Sequence, residues 1–244
     1  AINYGQSESN LGKAGVDNWK IITKIQGLHF DNDEPYDWTL KQIESSLNNL
    51  QKDSLEAVLL HDSSILKVDS GELVFKALEE LKSQKIINKI GVSIYSPKEL
   101  EGLYDRFNLD IIQSPFNILD RRISKSGWLK KIQKDRKELH IRSLFLQGLL
   151  LFNQSSRPMT FNNWEDLWIS WDNWLEENKL TPLEACLMAI YDNPGIKKII
   201  IGIDNLSQLE QILSVIKTGK FVDLPLDVFS DDENLINPSN WQYL

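Results

Sequence analysis

Continuous apolar runs alternate along the chain with segments in which apolar residues recur every three or four positions. The first pattern is typical of buried strands, and the second is typical of amphipathic helices. Strands are predicted at residues 19–25, 56–61, 89–94, 110–114, 139–145 and 197–203. Helices are predicted at residues 37–51, 70–84, 96–107, 126–134, 181–193 and 205–219. Each predicted strand is therefore followed by a helix, which indicates an α/β chain.

The strand cores indicate a parallel sheet, because runs such as AVLL and IIIGI are apolar throughout and suit strands buried on both faces. Repeated strand–helix units leave an open doubly wound sheet or a (β/α)8 barrel. No G-x-G-x-x-G follows a predicted strand, so the dinucleotide fingerprint of the open fold is missing. Polar residues end the apolar strands, as they do at the active-site rim of a barrel. We predict a (β/α)8 TIM barrel that is incomplete, with six of its eight strands.

A tryptophan-rich segment, residues 151–180, interrupts this alternation. It holds four of the eight tryptophans, spaced by four, three and three positions: Trp164, Trp168, Trp171 and Trp174. Such spacing places them on one side of a helix, and two interpretations stay open. The helix packs on the barrel wall, or it forms a lid whose aromatic rings contact substrate. No linker or repeat divides the chain, so a single domain is predicted over residues 1–244, with the tail from about 222 wrapping the surface through Trp241 and Tyr243.

Composition narrows the class of protein. The 244 residues carry a net charge of −8, and this acidic balance argues against a general nucleic-acid binder. Cys186 is the single cysteine, which excludes a disulfide framework and a cysteine-rich zinc site; its helical apolar stripe predicts a core position. No apolar run approaches the ~20 residues of a membrane span. The start, AINYGQSESN, lacks the basic region of a secretory signal, so a cytoplasmic protein without a membrane partner is predicted.

Three polar residues at strand ends form a candidate proton-delivery group: Tyr4, Lys24 and His61. A free phenol has a pKa near 10 and donates poorly at neutral pH, but a nearby ammonium favours the phenolate. A histidine can orient a substrate carbonyl and share the proton. The three histidines lack the spacing of metal ligands, so no metal site is predicted, and His29 and His140 are expected to be structural.

The residues around Tyr4 resemble the aldo-keto reductase family, whose pattern there is D-T-A-x-x-Y-G-x-S-E-x-x-L-G. Seven positions match in register: Ala1, Tyr4, Gly5, Ser7, Glu8, Leu11 and Gly12. Further family motifs follow in the family's order: I-x-T-K at Lys24, L-L-H at His61, I-G-V-S at Ser93, Q-S-P-F-N from Gln113 to Asn117, and I-G-I-D-N-L-S-Q-L ending at Leu209. The resemblance covers essentially the whole chain.

The resemblance implies NAD(P)H-dependent reduction of an aldehyde or ketone to an alcohol on a (β/α)8 barrel. Tyr4 would be the general acid, Lys24 would favour its ionisation, and His61 would position the carbonyl. Ser93 and Gln113 would hydrogen-bond the carboxamide of the nicotinamide. Because the cofactor carries the hydride, the protein contributes orientation and electrostatics.

Four further positions are implied to contact the cofactor. Alignment on Gln147-Gly148 places Arg142 where the family stacks a planar side chain on the nicotinamide. Gly202 and Gln208, with Asp204 close by, stand where members that prefer NADPH often carry Lys and Arg. Both NADP(H) and NAD(H) therefore stay open.

The chain also departs from the family pattern. The family's catalytic Asp, five positions before the tyrosine, would fall one residue before Ala1, so the resemblance implies a chain lacking the first strand and the start of the second. Ile94 stands where the family often has Asn. A second hypothesis is therefore a catalytically silent cofactor-binding barrel, or a fragment with a regulatory or interaction role. The expected substrate is a small carbonyl compound, sugar-like by resemblance only, and the oligomeric state is open.

Two further expectations concern charged loop residues. Arg121 and Arg122 are expected to be surface charges, and their place in a rim loop leaves substrate contact open. Asp62 either contacts substrate or caps the next turn.

Overall fold

The structure is a computed structural model of the chain and describes residues 4–26 and 34–243. It contains two compact units, Ala1–Gln113 (unit 1) and Ser114–Leu244 (unit 2). Each unit is described by itself, and the expectation of one domain over the whole chain stays a prediction.

Unit 1 consists of parallel strands and the helices that follow them. Its strands are β1 (Ile22–Ile25), β2 (Ala57–Leu60), β3 (Ile90–Ser93) and β4 (Ile111–Pro115), the last of which crosses into unit 2. Its α-helices are α1 (Ser7–Ala14), α2 (Pro35–Leu50) and α3 (Ser70–Ser83), and its 3-10 helices are Ser63–Lys67 and Pro97–Leu100. These strands lie at the predicted places.

The register of the sheet in unit 1 aligns residues across four neighbouring strands. Lys24 pairs with Leu59, Leu59 with Gly91, and Gly91 with Ile111, all in parallel. On this face Leu59 and Ile111 form a buried apolar cluster with Ala57 and Ile22. A side chain at Gly91 would run into both Leu59 and Ile111, so the glycine lets these two residues meet.

Helices α2 and α3 give unit 1 its second layer and pack against each other. α2 begins two residues before the predicted start because Pro35 suits the first helical turn, where its missing N–H costs nothing. It ends where Gln51 adopts a left-handed conformation, φ 55°. The apolar residues of both helices recur at helical spacing and are buried: Trp38, Ile43 and Leu50 in α2, and Val74, Phe75 and Leu78 in α3. This pattern is why both helices could be predicted.

Unit 2 is mainly helical around a short parallel pair of strands. The strands are β5 (Glu138–Arg142) and β6 (Lys198–Ile199), aligned by His140 with Lys198 and Ile141 with Ile199. The α-helices are α4 (Arg122–Lys125), α5 (Trp128–Lys134), α6 (Glu165–Asn178), α7 (Pro182–Met188), α8 (Leu206–Thr218) and α9 (Glu233–Ile236). The 3-10 helices are Leu149–Leu151, Met159–Trp164 and Pro238–Tyr243.

Three of the four tryptophans of the tryptophan-rich segment lie in α6, and Trp164 ends the 3-10 helix before it. Trp168 and Trp171 are buried, and the rings of Trp171 and Trp174 stack with centroids 5.6 Å apart. Arg157 lies over the ring of Trp168, 4.4 Å from its centroid, and donates two hydrogen bonds to the carboxylate of Asp172. This burial supports the interpretation of α6 as a packed helix.

Three predicted elements are shorter in the structure. The helix predicted at 96–107 is a 3-10 turn at Pro97–Leu100, because Gly102 adopts φ 80° and breaks the helical path. The strand predicted at 197–203 is limited to two residues, and its last ladder bond joins the N–H of Ile200 to the carbonyl of Ile141. The helix predicted at 181–193 ends at Met188.

The expectation that Arg121 and Arg122 are surface charges is wrong. Arg121 donates to the carbonyls of Pro225 (2.7 Å) and Val228 (2.8 Å), and burial lowers its pKa to about 10. Burial also acts to lower the pKa of Arg122, but its hydrogen bonds to Asp120, together with the negative charges of Asp120, Glu233 and Asp231, outweigh this and leave the pKa raised. Both side chains are covered because the tail of the chain returns over them, which local sequence does not reveal.

The tail lies on unit 2. Trp241 docks it, as predicted, but the prediction that Tyr243 also docks is wrong. The indole of Trp241 packs edge-on against Phe161, with centroids 4.9 Å apart, and donates to the carbonyl of Leu235. Tyr243 is 79% exposed and does not dock.

Candidate active site

Tyr4 occupies a tight turn that leads directly into α1. The carbonyl of Tyr4 accepts a hydrogen bond from the N–H of Ser7, and Gly5 inside the turn has φ 58°. Glycine suits this left-handed conformation because it has no Cβ. Tyr4 itself is 59% exposed, so its phenol is open to a small molecule.

His61 follows β2 and contacts Tyr4. The two rings meet edge to face, with centroids 6.0 Å apart. The backbone N–H of His61 extends the sheet ladder by donating to the carbonyl of Ile25 (2.9 Å), and Nδ1 lies 3.4 Å from Oε1 of Gln26. The structure therefore brings together two of the three residues predicted to deliver the proton.

Lys24 is the third member of that predicted group, near the end of β1. It is half-buried and pairs with Leu59, two residues before His61. Because side chains alternate along a strand, Lys24, Leu59 and His61 lie on one face of the sheet in unit 1.

Ser93, at the end of β3, and Gln113, in the middle of β4, lie on that same face and are buried. They are partners in the register, and Ser93 Oγ donates to Gln113 Oε1 at 3.4 Å. A hydroxyl and a primary amide side by side offer both donors and acceptors. This pair matches the hydrogen-bonding groups of a carboxamide, which also has both.

Arg142 ends β5 in unit 2 and begins a segment with unusual backbone. Its Nη1 donates to Ser143 Oγ at 3.2 Å. Ser143, Leu146 and Gln147 all have positive φ, between 46° and 60°. Non-glycine residues rarely adopt this conformation, and clusters of them concentrate at functional sites.

Gly202, Asp204 and Gln208 lie at the start of α8 in unit 2. Asn205 caps the helix by accepting from the N–H of Gln208 (3.0 Å), and Gln208 Oε1 accepts from the N–H of Asp204 (2.8 Å). Gly202 and Asp204 are exposed. Gln208 thus helps to fix the helix start, a role that its predicted place near a cofactor phosphate did not anticipate.

Several other polar residues have structural partners. Asp62 caps the 3-10 helix Ser63–Lys67 by accepting from the N–H of Ser64, as one of its two interpretations proposed. Asn117 bonds backbone groups of its own loop and the carbonyl of Ser143. His140 is buried 2.9 Å from Glu138, and Cys186 is buried as predicted. His29 lies outside the described residues.

Sequence reasoning missed one residue close to the site, Glu8. It is 3% exposed and accepts hydrogen bonds from Thr23 Oγ1 and from Ser46 Oγ (3.3 Å). A signal was present, because an acidic residue on the inner side of a short helix needs polar partners. The partners themselves come from distant parts of the chain, so the sequence did not identify them.

Across the described residues, every helix falls short of the length and apolarity that a bilayer span requires. Within the same part of the chain, no three His, Cys, Asp or Glu side chains are grouped so that they could hold a metal ion.

Comparison with known proteins adds family evidence to this geometry. The model of the family described as "Aldo/keto reductase family" matches residues 1–226. The chain is 24% identical over 228 residues to the uncharacterized oxidoreductase YqkF of Bacillus subtilis (strain 168), which covers 85% of this chain and 72% of that protein. It is 26% identical over 136 residues to the aldo-keto reductase YhdN of the same organism, covering 52% of this chain and 40% of that protein.

Solved structures support the predicted fold class. The holo form of aldo-keto reductase AKR11C1 from Bacillus halodurans superposes with a TM-score of 0.72 at 20% identity, covering 88% of this chain and 73% of that one. The thermostable aldo-keto reductase Tm1743, in complex with the inhibitor epalrestat, gives a TM-score of 0.69 at 20% identity, covering 92% and 76%. At this identity the likeness shows the fold alone, and it confirms the prediction of an α/β fold of the TIM-barrel type.

Proposed function

Because the chain belongs to the aldo/keto reductase family and is an oxidoreductase, we propose that it reduces an aldehyde or ketone to an alcohol with NAD(P)H, with Tyr4 as the proton donor. The observation that carries this proposal is the common face of the sheet in unit 1. Lys24, Ser93 and Gln113 lie in neighbouring strands on this face, His61 directly follows β2, and the ring of Tyr4 contacts His61.

The side chains of Tyr4, Lys24 and His61 supply the proton chemistry. In the proposed reaction the O–H of Tyr4 donates to the carbonyl oxygen as that oxygen gains negative charge. His61 orients the carbonyl by hydrogen bonding, and the Lys24 ammonium stabilises the phenolate left on Tyr4. The exposure of Tyr4 allows solvent to return the proton after turnover.

A nicotinamide cofactor, when bound, supplies the hydride that adds to the carbonyl carbon. Ser93 and Gln113 suit its carboxamide, because they present a buried hydroxyl and amide side by side. In unit 2, Arg142 is proposed to lie against the nicotinamide, a role that the positive-φ segment after it supports.

The N-terminus of α8 is proposed to receive the phosphate end of the cofactor, with Gly202, Asp204 and Gln208. Free N–H groups at a helix start favour anions. Asp204 is an exposed carboxylate at this end and would repel a 2′-phosphate. We therefore propose that NAD(H) is accepted at least as well as NADP(H).

The substrate class is proposed to be small carbonyl compounds, which include sugar-like carbonyls. The alternative of a catalytically silent cofactor-binding barrel is disfavoured, because the family match and the oxidoreductase relatives point to an enzyme.

Replacement of Tyr4 by Phe tests the proposal. The variant loses only the phenolic oxygen, so we expect turnover of para-nitrobenzaldehyde to fall by at least about a hundredfold, within the usual range for general acid catalysis. Cofactor affinity, followed by quenching of tryptophan fluorescence, should stay within about twofold. Tyr243→Phe, at an exposed tyrosine, is the matched control and should behave as wild type. Equal turnover in Tyr4→Phe and wild type would overturn the assignment.

A further inference from the structure

We propose that Glu8 is a positioning residue for the reaction: it ties the helix behind Tyr4 to the strand that carries Lys24, through Thr23. The inference rests on the proposed function and adds to it a residue that does not touch the reacting atoms.

Glu8 is an acidic side chain in a buried position. Glu8 lies in the first turn of α1, four residues after Tyr4, and is 3% exposed. Burial of a carboxylate is unfavourable unless hydrogen bonds replace its water. Glu8 accepts such bonds from Thr23 Oγ1 on β1 and from Ser46 Oγ on α2. Both hydroxyl residues are themselves buried, so these bonds are shielded from competing water.

Thr23 immediately precedes Lys24 in β1, and consecutive strand residues point to opposite faces of the sheet. Thr23 therefore faces α1 and α2, whereas Lys24 faces the side of His61 and Ser93. Its bond to Glu8 thus fixes α1 against the backbone of the same strand segment that sets the place of Lys24. Tyr4 joins α1 through the short turn at Gly5. The bond between Thr23 and Glu8 therefore constrains the positions of both Tyr4 and Lys24.

The contacts of α1 with α2 provide an internal comparison. Gly12 packs so closely on the end of α2 that a side chain there would run into the carbonyl of Asn49, and Ser46 adds the second bond to Glu8. These contacts hold α1 to a helix that carries none of the proposed site residues. Loss of the Ser46 bond should therefore disturb the site less than loss of the Thr23 bond.

Two matched variants separate positioning from general stability. Thr23→Val keeps the shape of the side chain and removes its hydroxyl, and Ser46→Ala removes the other hydroxyl that bonds Glu8. Misplacement of a reacting group by about 1 Å can lower a rate by roughly a hundredfold. We expect Thr23→Val to lower kcat for para-nitrobenzaldehyde by at least about tenfold, with KM and the affinity for NADPH within about twofold. Ser46→Ala should keep kcat within about twofold of wild type.

Thr23→Ser restores the hydroxyl and should recover most of the lost kcat. Hydrogen–deuterium exchange gives a readout that does not depend on turnover: Thr23→Val should exchange faster than wild type in the peptide of residues 4–14. Where Thr23→Val does not fold, Glu8→Gln takes its place, because it keeps the side-chain volume and weakens the bonds by removing the charge.

Tyr4→Phe, measured in parallel, distinguishes the two ways of failing. If Tyr4→Phe is inactive while Thr23→Val and Ser46→Ala both keep wild-type kcat, the role of Glu8 is overturned and the proposed function stands. Equal losses in the two hydroxyl variants, or no recovery in Thr23→Ser, would also overturn it, because they would indicate general destabilisation. If Tyr4→Phe turns over like wild type, the proposed function is overturned, and the positioning role of Glu8, which rests on it, is overturned with it.

Discussion

Two buried residues, Glu8 and Cys186, show how the surroundings of an ionisable side chain determine its chemistry. Glu8 is buried and accepts hydrogen bonds from two hydroxyl groups, whereas Cys186 is a buried free thiol. A thiol loses little on transfer from water, but its thiolate loses much. Burial therefore raises the pKa of the Cys186 thiol well above its ordinary value.

The raised pKa predicts an inert thiol in the folded protein. A chromogenic aromatic disulfide should label Cys186 at pH 8 at least about a hundredfold more slowly in the native protein than in urea, since the thiolate is the nucleophile. Rapid labelling without denaturant would contradict the burial of Cys186.

The raised pKa of Cys186 also determines the direction in which the stability of the protein changes with pH. The thiol ionises near pH 8.5 in the unfolded chain but stays protonated in the folded protein. Its contribution to the free energy of unfolding is therefore complete below that pH and is lost as the pH rises above it. Between pH 9 and 10 wild type should lose up to about 1.4 kcal/mol more per pH unit than Cys186→Ala. Parallel slopes in urea unfolding would show that the thiol does not contribute.

At the scale of elements, helix α7 begins with a reciprocal pair of hydrogen bonds. Thr181 accepts from the N–H of Glu184, and the carboxylate of Glu184 accepts from the N–H and hydroxyl of Thr181. The bond from the backbone of Thr181, followed by that from its hydroxyl, lowers the pKa of Glu184. The predicted helix also starts at this threonine, and Thr-x-x-Glu is a capping pattern.

Replacement of Thr181 by Ala should lower the free energy of unfolding by about 1 kcal/mol at pH 7. A carboxylate with a depressed folded pKa stabilises above its unfolded pKa and loses this effect as pH falls through the folded value. The difference between Thr181→Ala and wild type should therefore shrink toward pH 3 in urea titrations. Thr160→Ala, at an exposed threonine, is the control; an equal loss there, or a pH-independent one, would contradict the role of the cap.

Elements were predictable from sequence where one local pattern decides them. The strand AVLL follows from a continuous apolar run, and helix α2 follows from apolar periodicity, which also sets its buried face. The helix predicted at 96–107 failed because Gly102 overrides its periodicity, and β6 keeps only the two residues that pair with His140 and Ile141 of β5. A propensity acts locally, whereas the length of a ladder depends on a neighbour far along the chain.

At the scale of the molecule, the candidate site also combines residues that local sequence predicts with residues whose contacts depend on distant parts of the chain. The motifs identified Tyr4, Lys24 and His61, and parallel strands gave a reason for Lys24 and His61 to share a face. Neither motif nor period identified Thr23 and Ser46 as partners of Glu8, because that arrangement depends on how α1 packs. The roles of the site residues stay predictions, whereas the fold and the family are established by comparison.

The tail of unit 2 offers a test of what belongs to the folded core. The family match ends at residue 226, yet Val228, Leu235 and Ile236 are buried and Arg121 donates to the carbonyl of Val228. Burial of each aliphatic side chain contributes roughly 1.5–3 kcal/mol. Deletion of residues 227–244 should therefore lower the free energy of unfolding by about 5 kcal/mol or prevent folding.

Deletion of residues 243–244 alone is the matched control for the longer deletion. It removes Tyr243, which is 79% exposed, and should change stability by less than about 0.5 kcal/mol. Thermal unfolding followed by tryptophan fluorescence measures both deletions. Indistinguishable midpoints would mean that the core of unit 2 ends with the family match. A large loss confined to the longer deletion would mean that the core of unit 2 includes residues beyond the family match, held by the bond from Arg121 to the carbonyl of Val228 and by the contact of Trp241 with Phe161.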